Sequence, residues 1–534
     1  MSSRIATSRP TAWPPIAVLL VMALWLICSA GWRPFTSPDE GRYGGVAYAM
    51  LQSGDWIVPR LNGLPFFHKP PLFYWLGAAS MALFGPHEWA ARLPSLAGAL
   101  LAAGSLHLFL RRHASPEMSR ICALILCTSP FFYLGAQFAN LDMLVAGCIS
   151  MTVLAAADAV LARERGAPWR IALAVAFLGA ALGVLAKGLI GLVLPGAVIV
   201  VWALLSRRPG ALRLAGWWPG WLLLLAVAGP WFVAMQLRFP QFFDYFVITQ
   251  HFRRFASGGF NNEHPFWFYV PVVLGLCLPW SGWLLRWLRR PAADATAPRR
   301  VDDVDLLMLV WLVVIVGFFS IPRSKLIGYV LPALPPLAFL MSRAVLRARG
   351  VPSVWRERAA PWTAVGAVAL CLACVGAAAR FGTPPDTKLR LPAGEHIAPG
   401  DRIVMLDSYF YELPFYWRLQ GPVVVASDWR PEVARASDNW RKELADAAAF
   451  DSAAGQRLLQ PIDAQPDLIC AGKRTWVIGP SNGQLVAPWV LRMQLVTFIP
   501  QIAVWRYDSK PGARGDCLSG QTAPGTLPPI GAAG

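Results

Sequence analysis

WRIALAVAFLGAALGVLAKGLIGLVLPGAVIVVWALLSRR, residues 169–208, is two apolar runs divided by a single lysine. Each run, 169–186 and 188–206, approaches the roughly 20 residues a helix needs to cross the hydrocarbon core of a bilayer. Arg170 opens the first run and Arg207 and Arg208 close the second. Two spanning helices joined by a tight turn satisfy both facts, with the arginines on one side of the membrane and Lys187 on the other. A lysine so placed either snorkels to water or meets an anion.

The same pattern repeats along the chain. Apolar runs at 14–31, 89–110, 119–137, 141–162, 169–186, 188–206, 216–236, 265–288, 304–321, 328–346 and 361–380 predict about eleven spans. The segment 71–84, LFYWLGAASMALF from Pro71 onward, is shorter and aromatic and reads as re-entrant or interfacial. Of 534 residues, 56% are hydrophobic and only 15% charged, against roughly a quarter charged in soluble domains. The formal charge of +18 comes mostly from arginines beside apolar runs, which excludes nucleic acid as the partner. The run 14–30 follows a short basic leader as a signal peptide would, but no small-residue cleavage site follows. A retained first helix with its N-terminus inside is expected.

Arginines at 4/9, 111/112, 163/165/170, 207/208, 286/289/290 and 343/347/349 fall on every second connection, the cytoplasmic side by the positive-inside rule. The outward connections are then 32–88, 138–142, the turn at 187, 238–264, 322–328 and the whole tail from about 381. The tail is polar, with β-like runs DRIVML (401–406), PVVVAS (422–427) and RTWVIG (474–479) and a helix-like stretch at 432–449. It predicts a small extracytoplasmic α/β domain over 381–517, followed by a Gly/Pro/Ala/Thr-rich disordered end, 518–534. Seven of nine cysteines lie in apolar runs without metal-ligand spacing, whereas Cys470 and Cys517, in the tail, can form a structural disulfide.

The outward loops hold the unusual ionisable residues. Asp39, Glu40, Arg42 and Tyr43 lie in PDEGRY (38–43), an acidic pair that can bind a metal, position a sugar or act as a base, or with Ser37 merely begin a helix. His68 and Lys69 precede a diproline, as an anion contact or an interfacial anchor, and Asp142 follows Asn140 where it can cap a helix. His251, Arg253 and Arg254 run against the positive-inside trend, and guanidinium groups there suit phosphate oxygens. Lys325 and Tyr329 follow a break before span ten. Between Met1 and Arg380 the only lysines are Lys69, Lys187 and Lys325, all on the outward face. Carboxylates among such cations suggest a site for phosphate-bearing, lipid-linked substrates.

Together PDEGRY (38–43), SGDWIVPRLNG (53–63), HKPPLFYWL (68–76), Asn140-Leu141-Asp142, LAKGLIGLVLP (185–195), QHFRRF (250–255), HPFWFYVP (264–271) and SKLIGYVLP (324–332) resemble, in consistent order over about 330 residues, the GT-C glycosyltransferases. The closer resemblance is to the bacterial 4-amino-4-deoxy-L-arabinose lipid A transferases and their protein-mannosyltransferase-like relatives. It implies an α-helical polytopic membrane protein of the GT-C fold, about 11–13 transmembrane helices, over 1–380, with a small C-terminal periplasmic α/β domain. The implied reaction moves a sugar, aminoarabinose or a related one, from undecaprenyl phosphate to lipid A or another envelope glycan on the periplasmic face of the inner membrane, with inversion. By motif position, Asp39, Glu40 and Asp142 are the implied catalytic carboxylates. Arg42, Lys69, Lys187, Arg254 and Tyr329 are implied at the donor phosphate, and Tyr43, Arg253 and Lys325 near the substrate. His68 stands where the family often has a glutamate that can join a metal site, so a divalent ion, zinc on His68 and His251, is a further expectation. Two rivals remain: a protein hydroxyl as acceptor, needing Asp39 as a true base, and a lipid-linked sugar flippase. A transporter should carry mid-membrane charges and inverted repeats, which the sequence does not display.

Overall fold

The computed structural model describes residues 14–253, 262–288, 302–349, 354–382, 389–464, 468–469 and 474–508. Helices α1 (Pro15–Ile27), α2 (Asp39–Ser53), α3 (Leu72–Phe84), α4 (Glu88–His113), α5 (Pro116–Thr128), α6 (Pro130–Ala136), α7 (Leu141–Glu164), α8 (Arg170–Lys187), α9 (Ile190–Leu205), α10 (Pro209–Ala215) and α11 (Trp218–Arg238) come first. A π-helical segment, Asp244–Arg253, leads to α12 (Tyr269–Leu276), α13 (Gly282–Leu288) and α14 (Asp303–Ser320). A 3-10 turn, Ile327–Ala333, opens into α15 (Leu334–Arg349), and α16 (Val354–Phe381) ends the helical region.

Among the described residues, seven helices are long and apolar enough to cross a membrane, eight if α5 and α6 count as one. That pair is bent by 68° at Pro130, which has no N–H to continue the ladder of α5. The runs expected at 14–31 and 188–206 form shorter helices of 13 and 16 residues. The span expected over 265–288 is corrected to two short helices, α12 and α13, because Pro279 breaks the ladder between them. The exposed flanks carry Leu24, Leu222, Leu237, Val313 and Trp362, an apolar coat that only lipid tails suit. The protein is a multi-pass membrane protein.

At the centre, α4 and α7 lie so close that a Cβ on Gly147 would overlap the backbone of Gly98, and one on Gly98 the backbone at Leu144. Gly183 and Gly191 do the same for α8 and α9. Without a hydrophobic driving force in lipid, such small-residue contacts supply the packing. Charges gather at the two ends of the bundle. At one, Arg112 and His113 meet Asp158, Arg208 bridges Glu164 and Asp303, and Arg343 holds Asp305 at 2.5 Å. The other carries the starts of α2, α4 and α7 and the end of α8.

The tail forms a six-stranded mixed sheet in the order β5-β4-β3-β6-β8-β7. The runs singled out in the sequence are β3 (Arg402–Leu406), β4 (Val424–Ser427) and β6 (Arg474–Pro480). They pair in parallel, with β5 (Leu459–Pro461) outside β4 and the hairpin β7 (Gln494–Ile499) and β8 (Ile502–Asp508) antiparallel on the other edge. The helix expected near 432–449 is α17 (Trp440–Ala448). Cys470, Cys517 and the segment 518–534 lie outside the described residues.

This sheet unit is docked on the loops before α3. Strands β1 (Arg60–Leu61) and β2 (Leu64–Pro65) form a two-residue hairpin through Asn62-Gly63, both at positive φ as such a turn requires. Asn62 then exchanges two hydrogen bonds with the Val423 backbone, at 2.9 and 2.8 Å. Phe67 meets Phe450 edge-on at 4.8 Å, and the Tyr416 hydroxyl accepts from the Phe35 backbone N–H at 2.8 Å.

Two glycine substitutions test the central packing by thermal unfolding in detergent. Gly147→Ala forces α4 and α7 apart and should cost about 1–3 kcal/mol. Gly317→Ala in α14 meets open space and should gain about 0.5–1 kcal/mol. Equal melting temperatures for the two variants would contradict the close approach.

Candidate active site

The acidic pair opens α2, and successive helical residues point about 100° apart, so the two carboxylates face different ways. Glu40 turns inward and is fully buried. Arg33 pairs with it, Arg92 Nε and Nη2 donate to it at 2.8 and 3.1 Å, and the N–H groups of Thr36 and Ala139 donate at 3.0 and 2.8 Å. Burial alone would raise its pKa, but the two guanidinium groups outweigh it and hold the carboxyl down to about 2. With its oxygens so occupied, Glu40 is corrected from a catalytic candidate to the residue that fixes the first turn of α2.

Asp39 turns outward, its side chain 42% exposed. Arg42, one turn on, reaches Asp39 Oδ1 at 3.4 Å and Glu443 Oε1, from α17 of the sheet unit, at 2.9 Å. The Tyr411 hydroxyl donates to the other Glu443 oxygen at 2.6 Å, and its ring lies 5.2 Å from the guanidinium carbon. Desolvation in this recess raises the Asp39 pKa; Arg42 and Lys187 oppose the rise, while Asp142 and Glu40 add to it. Tyr43 is 7% exposed, packed against Phe73 and Tyr74 as part of the floor.

Asp142 begins α7, where the Asn140 side chain accepts its N–H at 3.0 Å, so the capping residue is Asn140. Lys187, the last residue of α8, forms an ion pair with Asp142, and its Nζ stands 4.4 Å from the ring centroid of Tyr329. Gly328, next to Tyr329, leaves room for the Asp142 carboxylate, which a Cβ there would strike. Lys325 is 2% exposed and spends its ammonium on the carbonyls of His264 (3.0 Å) and Pro322. It is corrected from a substrate contact to the anchor of the turn that carries Tyr329.

His68 is 8% exposed and stacks on Phe66 at 4.5 Å, with Tyr245 at 5.9 Å and Lys69 half-buried beside it. The backbone of His251 and Arg253 belongs to the π-helical segment, but their side chains, and Arg254 entirely, lie outside the described residues. Among the described residues no three His, Cys, Asp or Glu side chains are placed to hold a metal ion. The pair expected to hold zinc, His68 and His251, includes a side chain outside the described residues.

Residues 68–234 match the family model described as dolichyl-phosphate-mannose-protein mannosyltransferase. The undecaprenyl phosphate-alpha-4-amino-4-deoxy-L-arabinose arabinosyl transferase of Aeromonas salmonicida (strain A449) is 33% identical over 344 residues, 63% of this chain and 60% of the relative. That of Pseudomonas aeruginosa (strain UCBPP-PA14) is 34% identical over 350 residues, 64% and 60%. The chain thus spans about 60% of the length of these curated relatives. The crystal structure of ArnT from Cupriavidus metallidurans bound to undecaprenyl phosphate superposes with a TM-score of 0.74 at 25% identity, covering 92% of this chain and 97% of that one. The chain has the GT-C fold. The resemblance read from its motifs points to the same transferases as these matches. In this GT-C chain the motif carboxylates Asp39 and Asp142 and the motif cations Arg42 and Lys187 meet at one end of the bundle.

Sequence reading passed over Glu443 and Tyr411, which come from the tail, and Arg33 and Arg92, which stand in none of the motifs. Glu40→Ala leaves those two guanidinium groups buried and uncompensated, and should cost about 3–5 kcal/mol in detergent unfolding. Because the folded pKa lies below the ordinary 4.5, the Glu40 contribution is complete above about pH 4.5 and is lost as pH falls toward 2. Wild type should therefore lose stability over that interval by more than Glu40→Gln does.

Proposed function

We propose that this chain is an inverting glycosyltransferase that moves a sugar, aminoarabinose or a close relative, from undecaprenyl phosphate to a phosphate of lipid A or another envelope glycan. The observation that carries the reading is the half-exposed Asp39 carboxylate, with Arg42 beside it and the Asp142–Lys187 pair, faced by Tyr329, near enough to act on its charge. Carboxylates suit the positive character that develops at an anomeric carbon, and cations suit the phosphate that departs from it. The full-length likeness to an undecaprenyl-phosphate-bound GT-C structure and the named relatives support the same donor.

In the reaction, an oxygen of the acceptor phosphate bonds to the anomeric carbon as the bond from that carbon to the donor phosphate oxygen breaks, so undecaprenyl phosphate leaves with the electron pair. An acceptor phosphate is already an anionic nucleophile and needs no base. Asp39 then stabilises oxocarbenium character, while Arg42, Lys69, Lys187 and Arg254 bear on the leaving phosphate, with Tyr329 beside Lys187. The arginine-rich end is the cytoplasmic one, which puts the N-terminus inside and the site and sheet unit on the periplasmic side of the inner membrane. A protein hydroxyl as acceptor is the second reading, favoured by the description of the matching family model and by the raised pKa of Asp39, which makes it a stronger base.

Purified protein in detergent should transfer labelled sugar from polyprenyl-phosphate donors to lipid A, and Asp39→Asn should lower kcat on the order of 10²–10³-fold. Since Asp39 acts ionised and its pKa lies above the ordinary 3.8, transfer should fall as pH drops toward that raised value. Mass spectrometry of cells with and without the gene identifies the product. Unchanged lipid A with altered glycoproteins would select the second reading, and full function of Asp39→Asn would refute both.

A further inference from the structure

The sheet unit reaches into the recess with one carboxylate, and that carboxylate is not spare. Glu443 lies on α17, some 400 residues from Asp39 in the chain, yet its Oε1 is nearer to Arg42 than Asp39 is, 2.9 against 3.4 Å. Its side chain is 9% exposed, and its second oxygen accepts the Tyr411 hydroxyl at 2.6 Å. A guanidinium and a carboxylate on one helix at i and i+3 tend to close on each other, and an arginine with no other partner would take both oxygens of the carboxylate in a fork. Here Arg42 touches one Asp39 oxygen, and only loosely.

We propose that Glu443 is a positioning residue: it holds Arg42 back from Asp39, so that one carboxylate oxygen of Asp39 stays open to the substrate. The sheet unit is then a working part of the site. The proposal rests on the transferase reading above, because it assigns what Glu443 does for the Asp39 of that reaction. Tyr411 fixes the Glu443 carboxylate, while the Asn62–Val423 and Phe67–Phe450 contacts dock the unit on the loops before α3, outside the recess.

The groups that bear on Glu443 are Arg42 and Asp39 from α2, Tyr74 from α3, Tyr411 and Tyr409 from the loop after β3, and Asp438 from the turn before α17. Those that bear on Asp39 are Glu443 itself, Arg42, Tyr43 and Glu40 from α2, Asp142 from α7 and Lys187 from α8. Replacing Glu443 by glutamine removes a negative charge from this set and frees Arg42 to close on Asp39. Both effects favour ionised Asp39, so the acid limb of kcat/KM moves to lower pH while kcat falls, since the carboxylate is now occupied.

The test compares wild type, Glu443→Gln, Arg42→Lys and the double variant in the labelled-sugar assay, with thermal unfolding of each in the same detergent. Expected for Glu443→Gln are a kcat reduced on the order of tenfold, a donor KM within about twofold, an acid limb shifted down, and an unchanged melting temperature. The double variant should be no worse than Arg42→Lys, because Glu443 acts through Arg42. Asn62→Ala, which loosens the docking outside the recess, should lower the melting temperature and leave the acid limb in place. Additive effects in the double variant, or a Glu443→Gln enzyme with the wild-type kcat and acid limb, would overturn the proposal. A wild-type protein that transfers no sugar would overturn the transferase reading instead.

Discussion

Glu40 is a carboxylate in a place where no water can solvate it, and its charge survives there because four donors from three separate segments converge on it. Arg33 and Thr36 come from the connection after α1, Arg92 from α4, and the Ala139 N–H from the turn that leads into α7. A buried carboxylate tolerates little displacement of such partners, since any that withdraws leaves charge uncompensated in a poor dielectric. The ion cluster therefore sets the relative positions of α2, α4 and the start of α7. Asp39 and Arg42 inherit their places from α2 and Asp142 from α7. Asp39 is the more open of these groups, while Arg42 and Asp142 are held by ion pairs of their own, and each stands within a few residues of an atom that cannot move.

That division of labour explains why adjacent acids carry different duties. On a helix the pair cannot face the same way, so one must turn toward the bundle and the other toward solvent. Burial would raise both pKa values, and the cations set them apart: with two guanidinium groups Glu40 falls to about 2, whereas Asp39, in a recess with only partial compensation, rises. A permanently ionised anchor and a titratable neighbour come from the same residue chemistry in two environments.

The sequence made the helices, the outward loops and the charges Asp39, Asp142 and Lys187 legible because each is announced locally. Lys187 interrupts an apolar run, Asp142 stands at a helix start, and Asp39 follows a proline in a loop. The duties of Glu40 and Lys325 were not legible, because a charged residue in a motif reads alike whether it faces a ligand or a carbonyl of its own chain. Lys325 shares its motif with Tyr329 and serves it by tying down His264 and Pro322. Glu443 gave no signal at all, being one acid in a polar helix of the tail, and only the docking of the sheet unit brings it to Arg42. The Asn62-Gly63 dipeptide suits the hairpin turn that makes this docking possible, but nothing local points to the Val423 backbone it pairs with across 361 residues.

The Asp142–Lys187 pair follows from helix direction as much as from charge. Antiparallel neighbours α7 and α8 place the start of one beside the end of the other, and the two termini carry opposite partial charges. An aspartate at the start of α7 and a lysine at the end of α8 are each favoured by their own helix and then by each other. The ammonium is also faced by the Tyr329 ring, which stabilises a cation without neutralising it. A lysine held by one close carboxylate and one ring can exchange that carboxylate for a stronger anion. A phosphate offers more charge than a carboxylate, so on the proposed transferase reading the donor headgroup can compete with Asp142 for this ammonium.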